Sequence, residues 1–120
     1  MSFEKPILSY EHGEGGWLGF TKIRIYADGT VETEKGTATT EKISSTRGIP
    51  QSRVQSFVDY LVNLGFMSMD SEYIRHGVFD GWHDTLTLNY GGRSKAVRCS
   101  NKSPGPEYKQ LVELLRKLAE

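Results

Sequence analysis

GFTKIRIYADGTVETEKG, residues 19–36, alternates apolar and polar side chains on both sides of an Asp-Gly pair, the pattern of a β-hairpin. Burial decides its register. A two-residue turn at Asp28-Gly29 would set Val31 opposite Tyr26 and leave Ile23 and Ile25 facing Glu34 and Glu32. A three-residue loop, Ala27-Asp28-Gly29, with Gly29 left-handed as a bulge, sets Val31 opposite Ile25 instead. The second arrangement gathers Ile23, Ile25 and Val31 on one face, and is the one expected.

On either side the chain alternates strands and helices. Residues 6–12 (PILSYEH) read as a first strand with Ile7 as its expected buried member, followed by the Gly13, Gly15, Gly16 cluster. Residues 36–48 read as a loop with a short strand at its centre. Then PQSRVQSFVDYLVNLGF carries Val54, Phe57, Val58, Leu61 and Leu64 at helical spacing, with Pro50 at its start and Gly65 as a C-terminal cap. TLTLNY and RSKAVRC flank Gly91-Gly92 as a second hairpin, in which Leu86 pairs with Val97. Leu88, Tyr90 and Cys99 share that face, with Lys95 at its rim. Pro106 opens a last helix with a stripe of Tyr108, Leu111, Val112, Leu115 and Leu118. The order β-β-β-α-(β)-β-β-α implies an α+β two-layer sandwich. A mainly antiparallel sheet of about five strands carries two helices on one face, in a single domain over 1–120.

Composition narrows the functional classes. The 120 residues are 37% hydrophobic and 25% charged, and fifteen Lys+Arg balance fifteen Asp+Glu, so no global charge steers the chain to nucleic acid or an anionic membrane. The balance is local: residues 91–120 carry seven basic and three acidic side chains. A single cysteine, Cys99, excludes an internal disulfide and suits a reducing compartment. The N-terminus lacks a signal-peptide pattern and no apolar run nears the ~20 residues of a membrane span, so cytoplasm is expected.

HGVFDGWHD, residues 76–84, concentrates two histidines, two aspartates and a tryptophan. If YIRHGVF and WHDTLTL pair across Asp80-Gly81, then Phe79 faces Trp82. His76 faces Thr85, and His83 lies diagonally from His76, about 7–8 Å away. That puts His76 and His83 on one face as candidate metal ligands, with Asp84 on the other. A catalytic zinc needs three converging ligands, and His12 lies in another strand with Glu14 as its ligand-like neighbour. The segment therefore reads first as an aromatic-flanked turn. The glycine-rich stretch HGEGGWLGF precedes a strand rather than a helix, so it lacks a phosphate-loop context. Cys99 is placed in the core by the hairpin register and lacks an activating base. The outer face of the last hairpin (Thr85, Thr87, Asn89, Ser94, Ala96, Arg98) has no aromatic, and Tyr26 is the one placed on that of the first, so base stacking is not expected.

KIRIYADGTVE, a mid-chain helix ending in LGF, HDTLTLNYGGRSKAVRC and a leucine-rich last helix together resemble a family of small uncharacterised bacterial domains. The resemblance spans nearly the whole chain and implies the same fold. It implies an aspartate ahead of the second hairpin, matched by Asp84, and a Pro-started last helix. The family's Cys-rich turn reads GEGGWLGF here, without cysteine.

The functional expectation is a non-catalytic protein- or peptide-binding module using the loop aromatics Trp17, Phe20, Phe79 and Trp82, with no cofactor. These aromatics read equally as lids on the core. The expected state is a monomer or weak homodimer, without membrane or nucleic-acid partners. The rival is a small metal-dependent or hydrolase-like enzyme using His76, His83, Asp80 and Asp84.

Overall fold

The structure is a computed structural model, described here for residues 5–14, 19–37, 42–77 and 81–119. Seven strands form one sheet: β1 (Leu8–Glu14), β2 (Gly19–Ile25), β3 (Thr30–Gly36), β4 (Ile43–Gly48), β5 (Glu72–Ile74), β6 (Trp82–Tyr90) and β7 (Arg93–Ser100). Their order is β4-β3-β2-β1-β6-β7-β5, antiparallel throughout except that β5 runs parallel to β7. Two helices, α1 (Gln51–Leu64) and α2 (Pro106–Ala119), complete the α+β fold.

The first hairpin adopts the expected bulged register. Ile25 faces Val31, and Tyr26 N–H donates to the Thr30 carbonyl at 2.9 Å across the Ala27-Asp28-Gly29 loop. Gly29 has φ +97°. Its carbonyl accepts from Ile49 N–H at 2.8 Å, where the chain leaves β4 for α1, so the loop fastens the start of the helix to the sheet. In the second hairpin Leu86 pairs with Val97, as the burial argument requires. Lys95 reaches the rim, where its Nζ donates to the Met69 carbonyl.

Alternation on the strands puts Leu8, Tyr10, Ile23, Ile25, Val31, Leu86, Leu88, Val97 and Cys99 into one buried cluster. The same cluster takes Val54, Phe57, Val58 and Leu61 from α1, and Tyr108, Leu111, Leu115 and Leu118 from α2. Helix α1 ends at Gly65 (φ +92°), whose N–H bonds back to the Val62 carbonyl while Phe66 packs fully buried behind it. Among the described residues no helix is long and apolar enough to cross a membrane.

Four expectations are corrected. Leu8 and Tyr10, not Ile7, are the buried members of the first strand, because strand alternation turns the odd positions outward and Ile7 lies ahead of the ladder. Seven strands replace five. Residues 43–48 form a full six-residue edge strand, whose six exposed side chains leave no apolar alternation to read in the sequence. The pairing of YIRHGVF with WHDTLTL is absent. Strand β6 already has β1 on one edge and β7 on the other, so Thr85 faces Glu11 and Arg98 rather than His76. The chain ahead of β6 forms β5 instead, on the far edge of β7. Finally, Phe20 belongs to β2 and faces the helix-free side with Tyr26, because it pairs with Gly13 and Gly36.

A β-carbon at Gly29 would fall on the Ile49 carbonyl oxygen, besides requiring a left-handed backbone from an L residue. Gly29→Val is expected to cost about 2 kcal/mol or more. Urea denaturation checks this; an unchanged midpoint contradicts the bulged register.

Candidate functional site

Asp84 sits where β6 would otherwise continue its inward row of Leu86 and Leu88. It is 6% exposed, the one charged residue among the described buried positions. In the sheet its neighbours are His12 of β1 on one side and Cys99 of β7 on the other. A carboxylate there must have donors, since an unpaired buried charge costs several kcal/mol. Three converge on it. His12 Nδ1 donates to Oδ1, the Tyr10 hydroxyl to Oδ2 at 3.1 Å, and the Tyr108 hydroxyl to Oδ2 at 3.5 Å. Among the described residues no buried side-chain nitrogen or oxygen is left without a partner.

The elements fix each donor. Tyr10 and His12 lie two apart on the central strand and so share its inward face. Tyr108 sits in the first turn of α2, which Pro106 opens, and its N–H bonds to the Gly105 carbonyl at 3.2 Å. Arg116, two turns further on, donates from one guanidinium nitrogen to the Tyr10 hydroxyl at 3.4 Å and lies over that ring, 5.8 Å from its centroid. A chain of donors thus runs from Arg116 through Tyr10 to Asp84.

Protonation states follow from burial. Burial pushes the Tyr10 phenol up to about 12, with Arg116 opposing and the Asp84 charge assisting. Burial, then the Asp84 charge, raises Tyr108 far above the ordinary phenol range. Both phenols therefore keep their protons at neutral pH and serve as donors to the Asp84 carboxyl between them. Burial also lifts the Cys99 thiol to about 11, with Tyr108 opposing and the Asp84 charge assisting.

With Nδ1 committed to Asp84, His12 turns Nε2 outward, where Glu14 Oε1 lies at 3.4 Å. Both line a cavity of about 640 Å³ between the ends of β1 and β6 and the first three turns of α2. That is the size of an ordinary small-ligand pocket. Trp82 and Val112 supply its apolar wall; Lys109, Glu113 and Arg116 line it from α2. Trp82 is held by Asn101, whose Oδ1 accepts from Trp82 N–H at 2.8 Å while its own N–H donates to the Trp82 carbonyl at 3.0 Å. Asn101 takes φ +59° to do this, a conformation asparagine tolerates.

Of the residues singled out by sequence, Trp82 lines the cavity and is half-buried against the core. Phe20 lies on the opposite face of the sheet, with the Lys22 ammonium 5.7 Å from its ring centroid, and the two do not form one surface. Trp17, Phe79 and Asp80 lie outside the described residues. His76 and His83 are both exposed. His83 packs across Gly13 on the helix-free face, and no group of three or more metal-ligating side chains occurs among the described residues. The partnership of Asp84 with His12 was not anticipated, since it depends on β1 pairing with β6, strands separated by most of the chain. The available signal was parity: an aspartate in register with Leu86 and Leu88 faces the core and requires partners. No protein-family model matches the chain, and no curated protein matches it.

Two outcomes are expected. Asp84→Asn keeps the volume but turns an amide donor towards three donors, and should cost about 1–3 kcal/mol of stability; a denaturation midpoint equal to the parent's contradicts the network. Raised pKa values for Cys99, Tyr10 and Tyr108 mean that the folded state holds these protons more tightly than the unfolded chain. Their contribution is intact below the unfolded values, ~8.5 for the thiol and ~10 for the phenols, and is lost as pH rises above them. Thermal melting should therefore decline from about pH 9 upward, and more shallowly in Tyr108→Phe. A flat profile up to about pH 11 contradicts the burial of these groups.

Proposed function

We propose that the protein is a recognition module that binds a peptide or small organic ligand in the cavity between the sheet and α2, with His12 as its polar centre and Trp82 as its apolar wall. The observation that carries this reading is the commitment of buried Asp84 to His12 Nδ1, which holds Nε2 towards an open cavity beside an indole. Pre-set polar groups against an apolar wall are what ligand sites consist of. The binding reading keeps Trp82 from the loop aromatics and replaces the rest with residues of β1, β6 and α2. Membership in the family of small bacterial domains, with a cytoplasmic setting, belongs to the same proposal and rests on the two hairpins and the Pro-started helix.

Acid–base catalysis is a second reading, favoured by the same pair: an imidazole held through Nδ1 by a carboxylate can take a proton at Nε2. Binding is preferred because the nucleophile positions are spent. Cys99 is buried with a raised pKa, and Ser103, the one serine among the described lining residues, has its hydroxyl tied to the Gly105 backbone at 3.3 Å.

A fragment screen read by NMR on the His12 imidazole and the Trp82 indole tests the proposal. Ligands should move both resonances together, and Val112→Trp, which fills the cavity, should abolish binding with melting changed by only a few degrees. Binding that survives Val112→Trp, or that maps to the helix-free face of the sheet, sinks it.

A further inference from the structure

We infer that the ligand carries a carboxylate, taken up by the Arg116 guanidinium on the wall of the cavity where His12 Nε2 now faces the Glu14 side chain. This rests on the cavity being the binding site and adds what it recognises.

Arg116 and His12 border both the main cavity and an adjoining depression of about 530 Å³, so they stand together where the two meet. One guanidinium nitrogen is spent on Tyr10, whose ring lies 5.8 Å below the guanidinium carbon. The remaining donors have no carboxylate within 4 Å among the described residues, although Glu113 lies one turn away on the same helix. A guanidinium tethered by one nitrogen, with its other donors away from any carboxylate among the described residues, can take a ligand carboxylate by two parallel hydrogen bonds.

His12 supplies the second half. Its Nδ1 is taken by Asp84, and its Nε2 is the ring atom that faces a carboxylate oxygen. The Glu14 oxygen sits in that place now, at 3.4 Å, the long limit of a hydrogen bond. The Glu14 side chain is 48% exposed and ends its strand, so giving up the contact returns it to water at small cost. Asp84 cannot be displaced in this way, being buried with three donors. Glu14 thus acts as an internal placeholder, and a ligand carboxylate gains Arg116 as well as His12. Trp82 and Val112 cover its apolar body.

Two sources carry this chemistry, a free small acid and a peptide C-terminus. The probes are benzoate, the tripeptide Gly-Gly-Phe, its C-terminal amide, and benzylamine, titrated while following the His12 imidazole and Trp82 indole resonances. The acids should bind, with the amide and the amine weaker by roughly tenfold or more. Arg116→Gln should weaken acid binding by a similar factor, and Arg116→Lys by less, because charge is kept while the planar fork is lost. Glu14→Gln should tighten acid binding several-fold, an effect that a merely structural Glu14 would not produce. A tighter tripeptide assigns the peptide C-terminus, and a tighter benzoate the free acid. Equal binding of the acid and its amide overturns the inference while leaving the binding site standing, provided both shift His12. Unchanged affinity in Arg116→Gln or Glu14→Gln likewise overturns it. Binding that leaves His12 unmoved overturns both readings. So does the absence of binding by any of these probes up to about 10 mM, below which even a weak specific contact would register.

Discussion

A single carboxyl side chain inside the core organises this molecule. Asp84 interrupts an otherwise apolar row on β6, and its burial is tolerable because β1 brings it a histidine and a tyrosine, and α2 a second tyrosine. Two donors come from β1 and one from α2, so the carboxylate of β6 ties the two central strands to the C-terminal helix. A buried charge with three donors is a poor source of net stability compared with an apolar isostere, but removing any partner is expensive. Its effect is therefore on specificity: it fixes the His12 ring, the Tyr108 end of α2 and the β1–β6 register at once.

That arrangement also explains where the cavity lies. The strands β1 and β6 run past the apolar core towards their Glu14 and Trp82 ends, and α2 begins over the same region. The inward row changes along β1 from Leu8 and Tyr10 to His12 and Glu14, and along β6 from Leu88 and Leu86 to Asp84 and Trp82. Packing gives way to polar side chains, and the gap left between sheet and helix is lined by them. Cys99, on the third strand of the row, stays on the buried side and is made unreactive by the same environment.

Much of the fold was legible because its signals are local. Ile23, Ile25 and Val31 select one hairpin register, Leu86 and Val97 the other, and Pro50, Gly65 and Pro106 mark the helix limits. What escaped was non-local or unpatterned. β4 has no inward apolar row, and β5 pairs in parallel with β7, beyond the intervening β6, so no neighbouring segment announces its partner. The two histidines of HGVFDGWHD drew attention by their closeness in sequence, yet His83 faces the helix-free side. The histidine that Asp84 engages is His12, more than sixty residues before that segment and adjacent to Asp84 only through the sheet. Parity alone placed Asp84 inward; naming its partner needed the strand order.

The tautomer of His12 tests the central claim most directly. Long-range nitrogen–proton NMR on histidine-labelled protein distinguishes a proton on Nδ1 from one on Nε2. The Asp84 network predicts a protonated Nδ1 with a low-field proton signal, present in the parent protein and lost in Asp84→Asn. A neutral ring protonated on Nε2 alone, or a His12 spectrum indifferent to the Asp84→Asn change, would contradict it.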